Sequence, residues 1–355
     1  MHTTKIIALG FFIAACGGSP PAKKIEKPVA VVVAPPPPPP PPKPLTLEER
    51  LAFHASCFAD FVGEVPESFT RCYSVSSTQE LVDSGQPVVT GTPAIAAQTR
   101  PLWDSFKLEG ETRMVLAAGD RALTIALVRG TQDGPAFNGV SSGGRTFGVF
   151  IAESLTLDDQ GRHGAVRNYV DIGGMMGQLG AGPKGQTFRK PYEATGRPAF
   201  EATGTGSEAE TANVAAVQGA FDLFNKQDWK GVAATYLADA AISEQTAAAD
   251  TEGGKAIGKY YVELGKAFPD AQQSVDSIWG AGDFVVAETT FTGTNDGPAP
   301  ALGVKKATKK AVTLHRAHVF RLDGGKVLQH WIFGNGMAMA IQLGLVTPPA
   351  PPPAS

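Results

Sequence analysis

One charged residue interrupts an apolar alternation between residues 147 and 157. Alternate residues of this segment share one face of a predicted strand, and Glu153 is the only charged one among Phe147, Val149, Ile151, Glu153, Leu155 and Leu157. An ionisable side chain on such a face is either desolvated or paired, so Glu153 is a candidate catalytic residue. The alternative is that this face lines an interface or an open rim, with the carboxylate solvated.

An internal repeat gives this segment a counterpart. A shift of 163 positions places Phe58 on Phe221 and Tyr73 on Tyr236, and it also superposes 133–136 on 296–299 and Gly91 on Gly254. A shift of 164 matches 178–180 to 342–344. Ordered matches of this kind indicate a duplicated domain.

The second copy carries different chemistry at the matching face. Its alternate residues are Val312, Leu314, Arg316, His318, Phe320 and Leu322. If the preceding turn absorbs the insertion in the second copy, His318 corresponds to Glu153. Arg316 and His318 are therefore candidate ligand-binding residues, although a structural ion pair would also explain them.

Other chemistry-bearing residues form no motif. His54, His163 and His330 are scattered without metal-ligand spacing, and the sequence contains no phosphate-binding loop, nucleophile elbow or zinc motif. We expect neither a metal nor a cofactor. The net charge of -3 gives no electrostatic footprint for nucleic acid.

The elements that position these residues repeat in the same order. In the first copy, Thr46 and Glu49 form a capping box before an amphipathic helix. Thr92 and Pro93 are predicted to cap another helix. Strands follow with turns at 119–120 and 282–283. Helices followed by a strand meander predict an α+β class, with each domain built from three helices on a curved antiparallel sheet.

The N-terminal segment predicts export. Lys5 precedes a short apolar run, which ends in the sequence Ile-Ala-Ala-Cys at residues 13–16. This run is too short to span a bilayer and is typical of a signal peptide. The segment resembles a bacterial lipobox, which implies lipidation of Cys16 and, because Gly17 replaces the aspartate that retains lipoproteins in the inner membrane, sorting to the outer membrane. A chance cysteine after an ordinary signal peptide is the alternative.

The expected organisation divides the chain into six parts. These are a signal peptide at 1–15, a lipidated anchor with a disordered proline-rich stalk at 16–44, a first domain at 45–182, a linker at 183–210, a second domain at 211–346 and a proline-rich tail at 347–355. Cys57 and Cys72 either form a disulfide in an oxidising compartment or remain two buried thiols.

The second copy resembles the SnoaL-like polyketide cyclase or ester cyclase family of the nuclear-transport-factor-two-like superfamily. The residues that carry the resemblance are 268–270, Phe-Pro-Asp; 282–283, Gly-Asp; 293–294, Gly-Thr; 321–327; Trp331; and 342–344, Gln-Leu-Gly. The resemblance covers 211–346 and, through the repeat, 46–181. It implies two tandem cone-shaped domains with an apolar pocket at the wide end, on a fold that serves enzymes, binding modules and scaffolds.

The family's cyclases use an acidic residue as general acid/base after the last strand. The resemblance implies that Asp171 has this role in the first copy, with Arg167 and Tyr169 as possible pocket residues. The second copy has Asn335 at the matching position, after Trp331, and an amide cannot accept a proton near neutral pH. Asp171 and Glu153 are therefore the predicted catalytic pair, and Trp331 and Asn335 are predicted to contact ligand.

Three functions remain open at this point. The first is a lipoprotein, held at the membrane by its lipid anchor, whose pockets bind a small apolar molecule or a partner. The second is an enzyme related to ester cyclases or isomerases that uses Asp171 and Glu153. The third is a structural module in which the domains pair within the chain or between copies.

Overall fold

The structure of the protein, a computed structural model, describes residues 42–140, 143–182, 186–302 and 304–347. The predicted signal peptide, Cys16, most of the stalk and nearly all of the tail lie outside these ranges. None of the described helices is long and apolar enough to cross a membrane.

Two sets of elements follow each other in the same order. The first set comprises α1 (Leu47–Val62), α2 (Pro66–Thr70), β1 (Tyr73–Leu81), β2 (Val89–Thr90), α3 (Thr92–Ser105), β3 (Phe106–Ala118), β4 (Arg121–Gln132), β5 (Thr146–Leu157), β6 (His163–Val170) and α4 (Ile172–Gln178). The fold class is α+β, as predicted.

The second set repeats the first after one additional strand, β7 (Phe200–Thr203). It comprises α5 (Glu208–Asn225), α6 (Trp229–Ala234), β8 (Tyr236–Glu244), β9 (Thr251–Glu252), α7 (Gly254–Ala267), β10 (Gln272–Ala281), β11 (Phe284–Thr294), a 3-10 turn (Pro300–Leu302), β12 (Ala311–Asp323), β13 (Lys326–Phe333) and α8 (Gly336–Gln342). The segment predicted as a linker thus contains β7 and the first turn of α5.

The strand orders of the two sheets show the duplication directly. The first sheet has the order β2-β1-β6-β5-β4-β3-β7, and the second has the order β10-β11-β12-β13-β8-β9, which is the same sequence of neighbours read from the other edge. Both sheets are mixed rather than purely antiparallel, because β1 pairs parallel to β6 and β8 pairs parallel to β13. A short helix, α4 or α8, also follows the last strand of each copy.

Local sequence explains where several elements begin and turn. The capping box of Thr46 and Glu49 starts α1 as predicted. Gly119 and Gly282 have φ values of 66° and 58° in the hairpin turns, a backbone conformation that favours glycine. The N-cap of α3 is Gly91 at φ 81° rather than Thr92, and its counterpart is Gly253 at φ 83°, so the shift is 162 in this region.

Each sheet packs one face against its own helices and the other face against the opposite sheet. The helix-side cores form two separate clusters. Between the sheets lies a third cluster that includes Leu116, Leu123, Val286 and Val319, all with 0–1% exposure. Along β5, Phe147 and Val149 face the helices while Ala152 faces the second sheet, so Glu153 lies on the helix side.

Candidate functional site

The first domain encloses a cavity of about 410 Å³ between its sheet and the helices α1 and α3. Most of its wall is apolar or aromatic, including Phe58, Phe61, Phe147 and Ile151. The polar residues of the lining are His54, Tyr73, Gln79, Gln86, Gln98, Thr99, Asn138, Glu153, His163 and Asn168. A mostly apolar cavity of this size with polar groups in its wall is typical of pockets for small organic molecules.

Glu153 lies on this wall at the centre of the sheet. Its neighbours across the ladders are Thr124 on β4 and Asn168 on β6. The side chain is 19% exposed, and burial raises the pKa of the carboxyl group to about 7. No hydrogen bond to this carboxylate occurs among the described residues, which leaves it free to interact with a molecule in the cavity.

Two buried histidines stand beside the carboxylate. His54 comes from α1 and His163 from the start of β6, and His54 Nδ1 lies 2.9 Å from His163 Nε2. His54 Nε2 lies 2.7 Å from the Thr124 hydroxyl, and His54 Nδ1 lies 4.0 Å from a Glu153 oxygen. Burial lowers the pKa of His54 to about 4 and that of His163 well below its usual range, so both rings are neutral at physiological pH.

The histidine pair is only partly satisfied by hydrogen bonds. His163 Nδ1 is buried without a hydrogen-bond partner in the described part of the chain. The ligand atoms of His54, Glu153 and His163 all lie within 4.8 Å of one another, a grouping that could hold a metal ion. The sequence did not reveal this grouping, because His54 and His163 are 109 positions apart. One signal was available, since His54 lies between Leu51 and Phe58 on the apolar face of α1.

A disulfide forms part of the cavity wall. Cys57 on α1 is bonded to Cys72, which immediately precedes β1. Cys57 lines the cavity and Cys72 is fully buried. The bond therefore ties the helix that carries His54 to the strand that carries Tyr73, another residue of the cavity lining.

In the second domain, side chains fill the space that is equivalent to this cavity. The remaining cavity there is about 30 Å³. Helices α3 and α7 begin at equivalent residues, so Tyr261 of the second domain occupies the position that Thr99 has in the first. The Tyr261 and Tyr236 hydroxyls are 2.7 Å apart. The Tyr236 hydroxyl also lies 2.8 Å from His330 Nδ1, so the aromatic ring is held by a buried polar network.

The strand register confirms that His318 corresponds to Glu153. His318 pairs with Ala287 in the second sheet as Glu153 pairs with Thr124 in the first. Arg316 and His318 both line the small cavity of the second domain. His318 is 2% exposed and contacts Gln273, Thr289 and His330 through its two ring nitrogens.

Asp171 does not share the cavity of Glu153. It is the N-cap residue of α4 and accepts a hydrogen bond of 3.0 Å from the Gly336 amide of the second domain. Burial is the main cause that raises its pKa to about 6, while the amides of Gly174 and Gly336 lower it. The physical reason for this placement is that the chain leaves β6 at Val170 and turns towards α8, which carries Asp171 to the domain boundary.

The other predicted residues of the last strands lie between the sheets or near α8. Tyr169 donates to a Glu288 oxygen at 2.6 Å, and Arg167 bridges Glu288 at 3.0 Å and Glu80 at 2.8 Å. Strand alternation explains this, because between Val166 and Val170 the odd-numbered positions of β6 face the second sheet. His163 lies on the other side of an irregularity in the strand pairing and faces the cavity. Trp331 packs against the cluster between the sheets in the same way. Asn335 caps α8 and donates to the Asp83 carbonyl at 3.1 Å, beside a cavity of about 40 Å³ that Arg316 also lines.

Comparison with known proteins supports the assignment of the second domain. Residues 215–343 match the family model described as SnoaL-like polyketide cyclase. This match identifies the second domain as SnoaL-like, and the first domain repeats its strand order. No match was found among curated proteins.

Several solved structures are similar to part of the chain. A SnoaL-like protein from Jannaschia sp. CCS1 is 24% identical over 42% of this chain and 99% of that chain, with a TM-score of 0.36. A phenazine biosynthesis-related protein from Pseudomonas aeruginosa is 18% identical over 42% and 95%, with a TM-score of 0.35. An LEH-like epoxide hydrolase from M. tuberculosis is 17% identical over 38% and 92%, with a TM-score of 0.32.

Proposed function

We propose that the chain is a membrane-anchored lipoprotein whose first domain binds a small, mostly apolar molecule, with the second domain as its structural support. The observation that carries the binding proposal is the difference between the two copies. One keeps a cavity of about 410 Å³, whereas the other is filled by tyrosine and histidine side chains down to about 30 Å³. Unfilled apolar volume destabilises a protein unless a ligand occupies it, so its retention in one copy favours binding.

The lining defines the class of ligand. Aromatic and aliphatic walls favour an apolar body, and Glu153 with Asn168 offers hydrogen bonds to a polar group at one end. The amides of Gln79 and Gln98 are 3.0 Å apart and form a second polar region of the wall. The ligand is therefore an apolar molecule that carries a hydroxyl, carbonyl or amine group.

Filling the cavity tests the binding proposal. Thr99→Tyr introduces the residue that the second copy has at this position, and we expect it to abolish binding of the neutral fluorescent probe N-phenyl-1-naphthylamine to the purified chain. Arg100→Tyr is the matched control, because Arg100 is exposed on the same helix. Equal probe binding by both variants, or none by the unmodified chain, would contradict the proposal, provided that both variants retain the circular dichroism of the unmodified chain.

A second candidate function is general acid/base catalysis in the same cavity. It is favoured by a carboxylate that faces the cavity without a hydrogen-bond partner among the described residues. Such an enzyme would lose turnover in Glu153→Gln but still bind its substrate. A binding protein would show no turnover of any molecule that co-purifies with it, as judged by native mass spectrometry before and after incubation.

The anchoring proposal rests on the lipobox-like segment that ends at Cys16. The Cys57–Cys72 disulfide supports export, because such bonds persist in oxidising compartments. We expect the chain to incorporate an alkyne-labelled fatty acid in cells and to fractionate with the outer membrane, and we expect Cys16→Ser to abolish both. An unlabelled chain in the soluble fraction would overturn this part of the proposal without affecting the binding proposal.

A further inference from the structure

Three side chains from different elements converge at the polar end of the first cavity. His54 is on α1, Glu153 on β5 and His163 on β6, and their ligand atoms lie within 4.8 Å of one another. The two histidines are 2% and 3% exposed, so their rings are held by packing. Two imidazoles and a carboxylate on rigid elements are the donor set of many transition-metal sites.

The second copy shows how a buried histidine pair is accommodated without a metal. His318 Nδ1 and His330 Nε2 are 2.9 Å apart, almost the same separation as in the first copy. Every ring nitrogen of this pair has a partner, since His318 Nε2 contacts Gln273 and Thr289 and His330 Nδ1 contacts Tyr236. No carboxylate hydrogen bonds to either ring in the described residues.

The first copy differs from the second in having a carboxylate beside its histidine pair, which favours a bound cation. It adds a carboxylate at 4.0 Å from His54 Nδ1, and this carboxylate accepts no hydrogen bond from the described residues. A carboxylate in a mostly apolar cavity requires a compensating positive charge or a proton. A cation bound between the carboxylate and the two imidazoles would supply that charge.

We propose that His54 Nδ1, His163 Nε2 and a carboxylate oxygen of Glu153 bind one divalent transition-metal ion of the Zn²⁺ or Fe²⁺ class. Metal bonds of about 2.0–2.2 Å in a tetrahedral site place ligand atoms roughly 3.3–3.6 Å apart. The two nitrogens are 2.9 Å apart in a hydrogen bond that the metal bonds would replace, so the rings need to separate by only a few tenths of an ångström. The carboxylate closes the remaining distance by a side-chain rotation into the cavity. The other coordination positions face the cavity, where a bound molecule or water can occupy them.

A neighbouring hydroxyl orients one ligand ring. The Thr124 hydroxyl lies 2.7 Å from His54 Nε2. By accepting a hydrogen bond from the protonated Nε2, it leaves the lone pair on Nδ1 for the metal. The metal site adds a component to the proposed ligand-binding cavity and does not depend on that function.

Direct metal titration tests the proposal. The purified full chain is stripped with a chelator and titrated with Co²⁺ under visible absorption spectroscopy, and then with Zn²⁺ by competition calorimetry. We expect one ion per chain, cobalt ligand-field bands that Zn²⁺ displaces, and a higher melting temperature with metal. Glu153→Gln should weaken binding at least tenfold, and His163→Ala should weaken it further.

A control and a second variant make the result decisive. His315→Ala removes a half-exposed histidine that contacts Asp83 and should leave metal affinity unchanged. Because His163→Ala opens a buried site and could fail to fold, the near-isosteric Glu153→Gln serves as the second variant. Absence of cobalt bands in the unmodified chain, or equal affinity in the unmodified chain and both ligand variants, would overturn the proposal.

The two proposals fail separately. Thr99→Tyr changes the apolar part of the cavity and should retain metal while losing N-phenyl-1-naphthylamine. A chain that binds the naphthylamine probe but no metal would overturn the metal site and leave the binding function standing. A chain that binds metal in the described manner but does not bind the naphthylamine probe would overturn the binding function and leave the metal site standing.

Discussion

Asp171 combines a buried carboxylate with a hydrogen bond from the Gly336 amide of the second domain. Burial dominates, and together with the Glu244 carboxylate it raises the pKa to about 6 from a usual value of 3.8. A folded-state pKa above the unfolded value means that the folded chain binds the proton more tightly. The stabilising contribution of this group is therefore complete below about pH 4 and is lost as the pH rises through about 6.

We predict that Asp171→Asn removes this pH dependence. The amide oxygen can still accept from Gly336, and the neutral side chain avoids the cost of burying a charge. At pH 8 the variant should gain about 1 kcal/mol or more in free energy of unfolding, with no gain at pH 4. Urea unfolding at both pH values measures the difference, and a loss of stability at pH 8 would show that the interactions of the charged carboxylate outweigh the cost of burying it.

The same variant separates the two views of Asp171. The family resemblance gives it an acid/base role, whereas the structure places it at the domain boundary, outside the cavity that contains Glu153. We expect Asp171→Asn to bind N-phenyl-1-naphthylamine as tightly as the unmodified chain. A tenfold weaker affinity with unchanged circular dichroism would show that the boundary and the cavity are coupled.

At the scale of elements, the start of α5 is fixed by one carboxylate. Glu210 accepts hydrogen bonds from the amides of Thr205, Ser207 and Gly282, and so joins the helix to the β10–β11 turn. These bonds, with that of Gly282 the largest, lower its pKa to about 2. A depressed pKa contributes stability above about pH 4.5, and this contribution is lost as the pH falls through about 2.

We predict that Glu210→Gln lowers the free energy of unfolding at pH 7 by about 1–3 kcal/mol, because one acceptor oxygen is replaced by a donor. The difference from the unmodified chain should shrink as the pH falls towards 2. Glu49→Gln is the matched control, since Glu49 closes the corresponding capping box of α1 but accepts only from Thr46. Thermal melts should rank Glu210→Gln as the more damaging change, and the opposite ranking would contradict this account.

Sequence predicted those features of the elements that depend on local pattern. The capping box at Thr46 and the glycine turns at 119 and 282 are set by neighbouring residues, and the structure confirms them. Strand β1 was missed because Ser74, Ser76 and Ser77 break any hydrophobic alternation, and its parallel pairing with β6 joins segments almost 90 positions apart. The His54–His163 contact was also missed because it joins residues far apart in the sequence.

The difference in volume between the two cavities was also not predicted from the sequence. It depends on the volume of a few side chains, such as Thr99 against Tyr261, and the sequence does not show which side chains of these helices line a cavity. Glu153, in contrast, was found from alternation alone, because a lone charge on an apolar strand face is a local signal. Family resemblance located Asp171 in sequence but not its surroundings, since α8 of the other copy supplies its partner.

At the scale of the whole molecule, the apolar contact between the two sheets contains a buried polar cluster. Tyr169 and Arg167 of the first sheet both bond to Glu288 of the second, whose residue exposure is 8%. Desolvation and the Glu288 carboxylate raise the pKa of the Tyr169 hydroxyl well above its usual range, so the hydroxyl stays protonated and donates. The cluster fixes the register of one sheet on the other, which the apolar contacts around it do not specify by themselves.

We predict that Tyr169 and Glu288 are energetically coupled across the sheets. Tyr169→Phe removes the donor, Glu288→Gln weakens the acceptor, and the double variant should cost less than the sum of the two by about 0.5–3 kcal/mol in free energy of unfolding. The control cycle pairs Tyr169→Phe with Glu263→Gln, because Glu263 is exposed on α7 and should be additive with it. A coupling below about 0.5 kcal/mol in the first cycle would mean that this hydrogen bond adds nothing measurable to the packing of the two sheets. In that case Tyr169 and Glu288 would be no more than neighbours at the contact.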